Sequence, residues 1–359
     1  MNIIDKIDEI IGQHYRPEEY PCLAAQQKNF SEKRSLNNLE VLDSTPIFRN
    51  SLIKYKALIL AGAKLTIGIS GIVPYNPAVL QFLKDNGIPV ITNEDTEKKF
   101  ALVLDNAAVF SNFESEFGYV ELTRSGVDKY TRSGKNVFLA DSGKIKRIET
   151  CLGTGESYFR GLRHFGFSDY CGKRLVVFGS GKVASGIIYY AHQNRMNTIV
   201  ITEKSTIMPA ISSLAEKVID LHETDEIVSA IEKAEYIVTA TGVKSAVASV
   251  VPSKYVLASN AILANIGVED EYGNSIPKER VLNAKFPINF ALEEPTRIRF
   301  IEATLALHNF GAEFLVEHPT AKGTILPSEQ IENEMLETSA SHGLLSQEIA
   351  FMLDKMPMK

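Results

Sequence analysis

RLVVFGSGKVASGIIYYAHQNRMNTIVITE, residues 174 to 203, is the stretch on which the reading of the fold turns. Leu175 to Phe178 form a short apolar run, as a parallel strand buried on both faces requires. Gly179, Ser180 and Gly181 follow at once. The first glycine permits a tight turn and the second lets a pyrophosphate approach the backbone. Ala184 takes the third small position, and Gly186 and Ala191 keep the next segment slim enough to lie on a sheet as a helix. The amides that open this helix, around Lys182 and Val183, then point a positive dipole end at phosphate. Thr198 to Thr202 reads as the next strand, and Glu203 stands where an acid would take both ribose hydroxyls. Strand, glycine turn, helix, strand and acid in this order predict a dinucleotide site. Glu203 would repel a 2′-phosphate and so favours NAD over NADP, although Lys204 beside it pulls the other way.

Outward from this unit the chain keeps alternating. Toward the C-terminus the pattern predicts helices over 208–217, 224–234 and 304–317, and strands over 217–220, 236–240, 255–258 and 261–266. Two strands end in small residues, Thr239-Ala240-Thr241-Gly242 and Asn265-Ile266-Gly267, where a cofactor would cross a carboxyl edge. Toward the N-terminus, strands are expected over 39–42, 64–69, 88–91, 101–104 and 119–122, with helices over 51–61 and 77–86. Residues 132–147, rich in Gly, Ser and Lys, read as loops, 156–165 as a helix, and 328–358 as one or two more helices. Ile3, Ile4, Ile7, Ile10 and Ile11 mark an amphipathic helix at the start. Alternating elements imply parallel sheets.

The 359 residues, 45% of them hydrophobic, suffice for two domains, and a net charge of −6 gives nucleic-acid binding no support. No apolar run approaches a membrane span, and the first residues lack the pattern of a signal peptide. Cys22, Cys151 and Cys171 fit no metal or disulfide spacing, so no metal and a reducing cytoplasm are expected.

Several further segments, in order, resemble the S-adenosylhomocysteine hydrolase family. GAKLTIGISGIVPYNPAVLQFLKDNGIPV (62–90), LDN (104–106), TRSGV (123–127), DS (141–142) and IETCLGTGES (148–157) all have counterparts there, as do VTATG (238–242) and NIG (265–267). The resemblance runs from about Tyr20 to His308. It implies an α/β protein of two domains, a Rossmann NAD domain at 156–297 inserted in a parallel α/β substrate domain formed by 1–155 and 298–359. It also implies a homo-oligomer and a bound NAD that transiently oxidises a nucleoside hydroxyl, so that a group is eliminated and water added. Thr123, Arg124 and Ser125 join the cofactor-binding set, with Arg124 also suited to a carboxylate or phosphate.

The sequence departs from that family at its proton-moving positions. The histidine falls on Pro46, the lysine on Ile145 and one aspartate on Asn106. The remaining catalytic candidates are Glu149 as a hydroxyl-binding carboxylate, Lys146 (with Lys144) as an electrostatic aid, His308 as a proton donor or acceptor, and Asn106 (with Asp105) as a hydroxyl ligand. Glu302 is a looser candidate near the nicotinamide. Three functions stay open: an NAD-containing hydrolase or lyase on a nucleoside-like or other small hydroxylated substrate, a net dehydrogenase of a hydroxy or amino acid, and a non-catalytic NAD-binding regulator.

Overall fold

A computed structural model describes residues 2–355, so positions 356–358 of the expected C-terminal helices lie outside the described residues. The chain divides into two compact units, one formed up to Lys146 and by Ile298–Ala350, the other by Arg147–Arg297 with the segment from Phe351.

In chain order the first unit carries α1 (Ile3–His14), α2 (Pro21–Lys33), β1 (Glu40–Asp43), α3 (Ser51–Leu60), β2 (Lys64–Ile69), α4 (Pro77–Asp85), β3 (Val90–Thr92), β4 (Lys99–Asp105), β5 (Glu114–Glu121), α5 (Arg124–Ser133), β6 (Val137–Leu139) and α6 (Lys144–Arg147). The second carries α7 (Thr154–His164), β7 (Arg174–Phe178), α8 (Lys182–Gln193), β8 (Asn197–Thr202), α9 (Pro209–Ser212), β9 (Lys217–Asp220), α10 (Thr224–Glu232), β10 (Tyr236–Thr239), α11 (Ala246–Val250), α12 (Ser253–Ala258) and β11 (Ile262–Asn265). The chain closes with α13 (Ile298–Glu317), β12 (Thr324–Ile325), α14 (Glu329–His342) and α15 (Ser346–Lys355).

Both sheets are parallel throughout, in the orders β12-β6-β5-β4-β1-β2-β3 and β11-β10-β7-β8-β9. The protein is therefore a mixed α/β protein with two open parallel sheets. In each sheet the strand order reverses once, between β1 and β4 in the first and between β7 and β10 in the second. Such reversals leave a crevice beyond the carboxyl ends of the strands, where α/β proteins take ligands.

One face of the first sheet is filled by Leu42, Val103, Phe110, Phe113, Tyr130 and Val137. On α13, a Cβ added at Gly311 would stand 2.7 Å from Phe138 and Val120, so the missing side chain lets this helix lie close on the strands. In the second unit Leu175 to Phe178 are buried throughout, as a strand with helices on both faces demands.

Gly186 on α8 faces the carbonyl of Cys151, in the π-helical turn Ile148–Gly153 that leads into α7, and Gly155 faces the backbone of Gly186. A Cβ at Gly186 would fall inside contact distance of main-chain atoms that cannot rotate away. Gly186→Ala is expected to destabilise the second unit by about 1–3 kcal/mol, the usual cost of overpacking. Denaturant unfolding checks this, and a variant as stable as the parent would mean that the two helices can separate freely.

Three expectations about elements fail. Tyr255-Val256-Leu257-Ala258 belongs to α12, not a strand: it follows Pro252, whose fixed φ suits a helix start, and Val256 is the residue it buries. Residues 132–147 are not only loops; they hold the end of α5, the fully buried strand β6 and α6. Only Pro209–Ser212 of the helix expected over 208–217 forms.

Candidate functional site

In the second unit, β7 ends at Gly179, whose φ of +110° is open to glycine and strained for other residues. A Cβ there would stand 2.6 Å from the carbonyl oxygen of Ala240, so this glycine also lets the ends of β7 and β10 close on one another. Gly181 is different. It caps α8 at φ −68°, and a Cβ built on it meets no atom within 4 Å. The first intrahelical bond here runs from Ser185 N–H to Gly181 O. The amides of Lys182, Val183 and Ala184 precede it and have no acceptor within the helix. A row of amides over open space beside a glycine with no steric duty is the arrangement a diphosphate needs.

Ser180 Oγ lies 2.9 Å from Thr202 Oγ1 and 3.2 Å from Thr206 Oγ1, tying the turn to the end of β8. One residue on, Glu203 accepts from Ser205 Oγ at 2.9 Å. Lys204 is drawn aside: its ammonium sits 2.8 Å from Glu223, and its amide donates to Asp220. The positive charge that would welcome a 2′-phosphate is thus already paired.

The β10 and β11 ends behave otherwise. Thr241 N–H and Oγ1 and Gly242 N–H all donate to Glu271, at 2.8, 2.7 and 2.8 Å. Glu271 is buried, and these donors are its cage. Thr239 Oγ1 donates to Asn265 Oδ1 at 2.9 Å, and Asn265 Nδ2 holds the carbonyls of Gly267, Glu269 and Lys285. Thr239, Thr241, Gly242 and Asn265 therefore spend these polar groups on shaping the edge. Ala240 is buried beside Gly179, Ile266 donates its N–H to Thr239 O, and Gly267 makes room for Glu271.

In the first unit, acidic residues end three adjacent strands: Asp43 on β1, Asp105 on β4 and Glu121 on β5. All three are fully buried. Asp43 Oδ1 accepts from Thr45 N–H and Oδ2 from the Lys54 ammonium of α3, an ion pair without solvent on either side. Burial pushes the Asp43 carboxyl up, but the Lys54 charge and the bonds it receives pull it further down, below the ordinary carboxylate range. Asp105 accepts from Ser44 Oγ, Asn106 N–H, Phe110 N–H and Tyr130 Oη. Burial still raises its pKa. Glu121 Oε1 accepts from Ala107 N–H at 3.0 Å and from Thr123 N–H and Oγ1 at 2.8 Å, and Oε2 accepts from Ala108 N–H at 2.9 Å. Burial, helped by the Asp105 charge, pushes Glu121 up to about 7 against those bonds.

Ala107 and Ala108 have φ of +59° and +52°. Left-handed backbone costs an L-residue roughly 1–2 kcal/mol, so the Glu121 carboxylate offsets strain in this turn. Beside it the buried Asn106 Oδ1 and Thr45 Oγ1 have no hydrogen-bond partner. These two atoms, at the strand reversal between β1 and β4, are suited to receive a ligand hydroxyl.

The sequence-derived catalytic candidates fall as follows. Lys146 is buried in the first unit, with Nζ 2.9 Å from Leu122 O and 3.9 Å from Asp141. His308 is buried on α13, with Nε2 2.9 Å from Val120 O. A carbonyl only accepts, so Nε2 carries the proton and Nδ1, which has no partner, holds the lone pair. Burial, reinforced by Lys54, lowers its pKa to about 3, so the ring is neutral near pH 7 and is a weak base. Glu149 sits half-buried in the π-helical turn of the second unit. Glu302 is fully buried among helices, accepting from Leu23 N–H at 3.0 Å and Ser339 Oγ at 3.1 Å; it caps α2, an assignment that replaces its expected place near a nicotinamide. Thr123, Arg124 and Ser125 open α5 in the first unit, with Arg124 exposed and 3.8 Å from Asp128. Lys144 reaches Asn333 on α14. The sequence reading missed Asp43, Lys54, Glu271 and the part played by Glu121. A charged residue inside an apolar run, as Lys54 is in LIKYKALIL, was the signal for one of them.

No family model matches the chain, and no curated protein matches it. Among solved structures it is similar to one component of the dipicolinate synthase from Bacillus halodurans, at 9% identity over 78% of this chain and 98% of that one, with a TM-score of 0.49. It is also similar to a transhydrogenase from Sinorhizobium meliloti, at 13% identity over 79% and 96% of the two chains, with a TM-score of 0.47. An L-alanine dehydrogenase matches at 13% identity over 86% and 98%, with a TM-score of 0.43. No helix among the described residues is long and apolar enough to cross a membrane.

Proposed function

We propose that the chain is an NAD-dependent enzyme acting on a small hydroxyl-bearing substrate. The observation that carries the reading is the turn Gly179–Val183, where the unpaired opening amides of α8 meet open space over Gly181. The diphosphate would lie on Ser180 to Val183 and the adenosine ribose on Glu203. The pairing of Lys204 with Glu223 supports NAD over NADP. Bound NAD would take up the two electrons released as a substrate hydroxyl becomes a carbonyl.

The protein's own share is to hold that hydroxyl and its proton. In the first unit Asn106 Oδ1 would accept its one hydrogen, Thr45 Oγ1 would donate to its oxygen, and the Lys146 ammonium would favour its ionised form. The finer reading, by resemblance to S-adenosylhomocysteine hydrolase, is a transient oxidation of a nucleoside-like substrate followed by elimination and addition. Net dehydrogenation of a hydroxy or amino acid is a second reading. It is favoured by Pro46 and the buried Ile145, which stand where that family moves protons, and by the weak basicity of His308.

Gel filtration of the purified protein, followed by release and assay of nucleotide, separates the two. NAD retained at about one per chain fits transient oxidation, in which the cofactor is regenerated in place. NAD that exchanges freely and is consumed with substrate fits the dehydrogenase. Protein that binds no NAD when it is added would remove both readings.

A further inference from the structure

The turn after β4 is built like a sprung part. Two successive alanines are left-handed, and the carbonyl of Ala108 is held by the Lys129 ammonium at 3.0 Å. Asp105 takes the amides of Asn106 and Phe110, Thr123 Oγ1 shares the Ala107 amide at 2.9 Å, and a second carboxylate, Glu121, reaches from the neighbouring strand to both alanine amides. Its two oxygens are unequally loaded. Oε1 carries three donors, whereas Oε2 carries only the Ala108 amide. Gly126 on α5 stands so near Oε2 that a Cβ at that position would collide with the carboxylate. An added proton therefore belongs on the less loaded oxygen, where it competes with Ala108 N–H.

We propose that Glu121 is a positioning residue that holds the β4–β5 turn only as the carboxylate, so that protonation of Oε2 releases the Ala108 amide and loosens Asn106, the buried residue that follows β4. The proposal rests on the reading above only in giving Asn106 a ligand to meet; the clamp itself is a property of the protein alone. The charged and titratable groups around the carboxylate are Asp105 on β4, Tyr130 and Lys129 on α5, Lys146 at Leu122 O and His308 at Val120 O. Of these, Asp105 repels the charge directly. Tyr130 donates to Asp105 at 2.6 Å and blunts that repulsion without removing it. Glu121, pushed up to about 7, is poised to titrate in the neutral range.

The test is amide hydrogen exchange by NMR on the full chain without NAD or substrate, from about pH 5.5 to about pH 8.5 and corrected for intrinsic exchange. Protection of Ala108 is expected to fall by about tenfold or more on the acid side, while Ala107, bonded to the loaded oxygen, keeps most of its protection. In Glu121→Gln, Ala108 is expected to be poorly protected with no pH step. Constant protection in the parent, or an equal step in the variant, overturns the proposal. If the variant fails to fold, the carboxyl carbon of Glu121 is followed in the parent, and a titration midpoint at or below about 5 overturns it as well. Because neither measurement involves a nucleotide, failure here leaves the NAD reading untouched, and failure to bind NAD leaves this one untouched.

Discussion

Gly181→Ala is expected to weaken NAD binding by about ten- to a hundredfold, the worth of one or two charge-assisted hydrogen bonds to a phosphate. The melting temperature should fall by no more than about 2 °C, because a Cβ at that position meets no atom within 4 Å and the backbone is in an ordinary region. The separation of the two effects makes the experiment informative. A methyl group the protein itself does not notice would stand where the proposed diphosphate would touch the main chain. Gly179→Ala is the contrast. Its Cβ would meet the Ala240 carbonyl at a φ of +110°, so stability and binding should fall together. Isothermal titration and thermal melts of both variants decide the matter. Gly181→Ala binding NAD as tightly as the parent would show that this turn is no phosphate cradle.

The largest expected effect on stability lies at Asp43. Asp43→Asn removes a carboxylate and leaves the Lys54 ammonium buried without its counter-charge, since both side chains are fully enclosed. Breaking such a pair costs about 3–5 kcal/mol. The sign of the pH dependence follows from the lowered pKa of Asp43. Its contribution is fully present above the ordinary carboxylate value and is lost as pH falls through the still lower value of the folded state. The parent and the variant should therefore converge in acid and differ most near neutrality. Asp43→Leu combined with Lys54→Met should recover much of the loss, because two well-packed apolar groups carry no desolvation cost. Urea melts at neutral and acid pH measure all of this. A neutral-pH difference below about 0.5 kcal/mol would mean the pair is ionised only weakly or is easily hydrated.

The second unit's sheet was legible because β7 to β8 carries its own punctuation: an apolar run, glycines where backbone must bend, and an acid at the next strand's end. Elements without such marks were harder to see. β6 is three residues long and lies in a polar stretch, and its identity as a strand comes from pairing with β5 and β12. Tyr255 to Ala258 has the apolar, branched look of a strand, yet it is short enough that periodicity cannot separate strand from helix. At the sites the same limit holds. Gly181 announced itself by position in a motif. The Asp43–Lys54 pair links a strand to a helix eleven residues on, and Glu271 reaches back about thirty residues to Thr241, so tertiary structure alone brings these partners together. Asn265 and Thr241 looked like ligand contacts because of where they fall, but their polar groups are spoken for within the fold.

The first unit is written in two instalments, with some hundred and fifty residues of another unit between them. During synthesis its six leading strands leave the ribosome well before α13, the helix that packs on β4, β5 and β6, and before β12, which pairs with β6. Until then that flank of the sheet has neither its cover nor its outermost strand. The nascent chain must carry an uncovered apolar surface through the making of a whole second domain, the circumstance in which a polypeptide recruits chaperones or joins a neighbour by strand exchange.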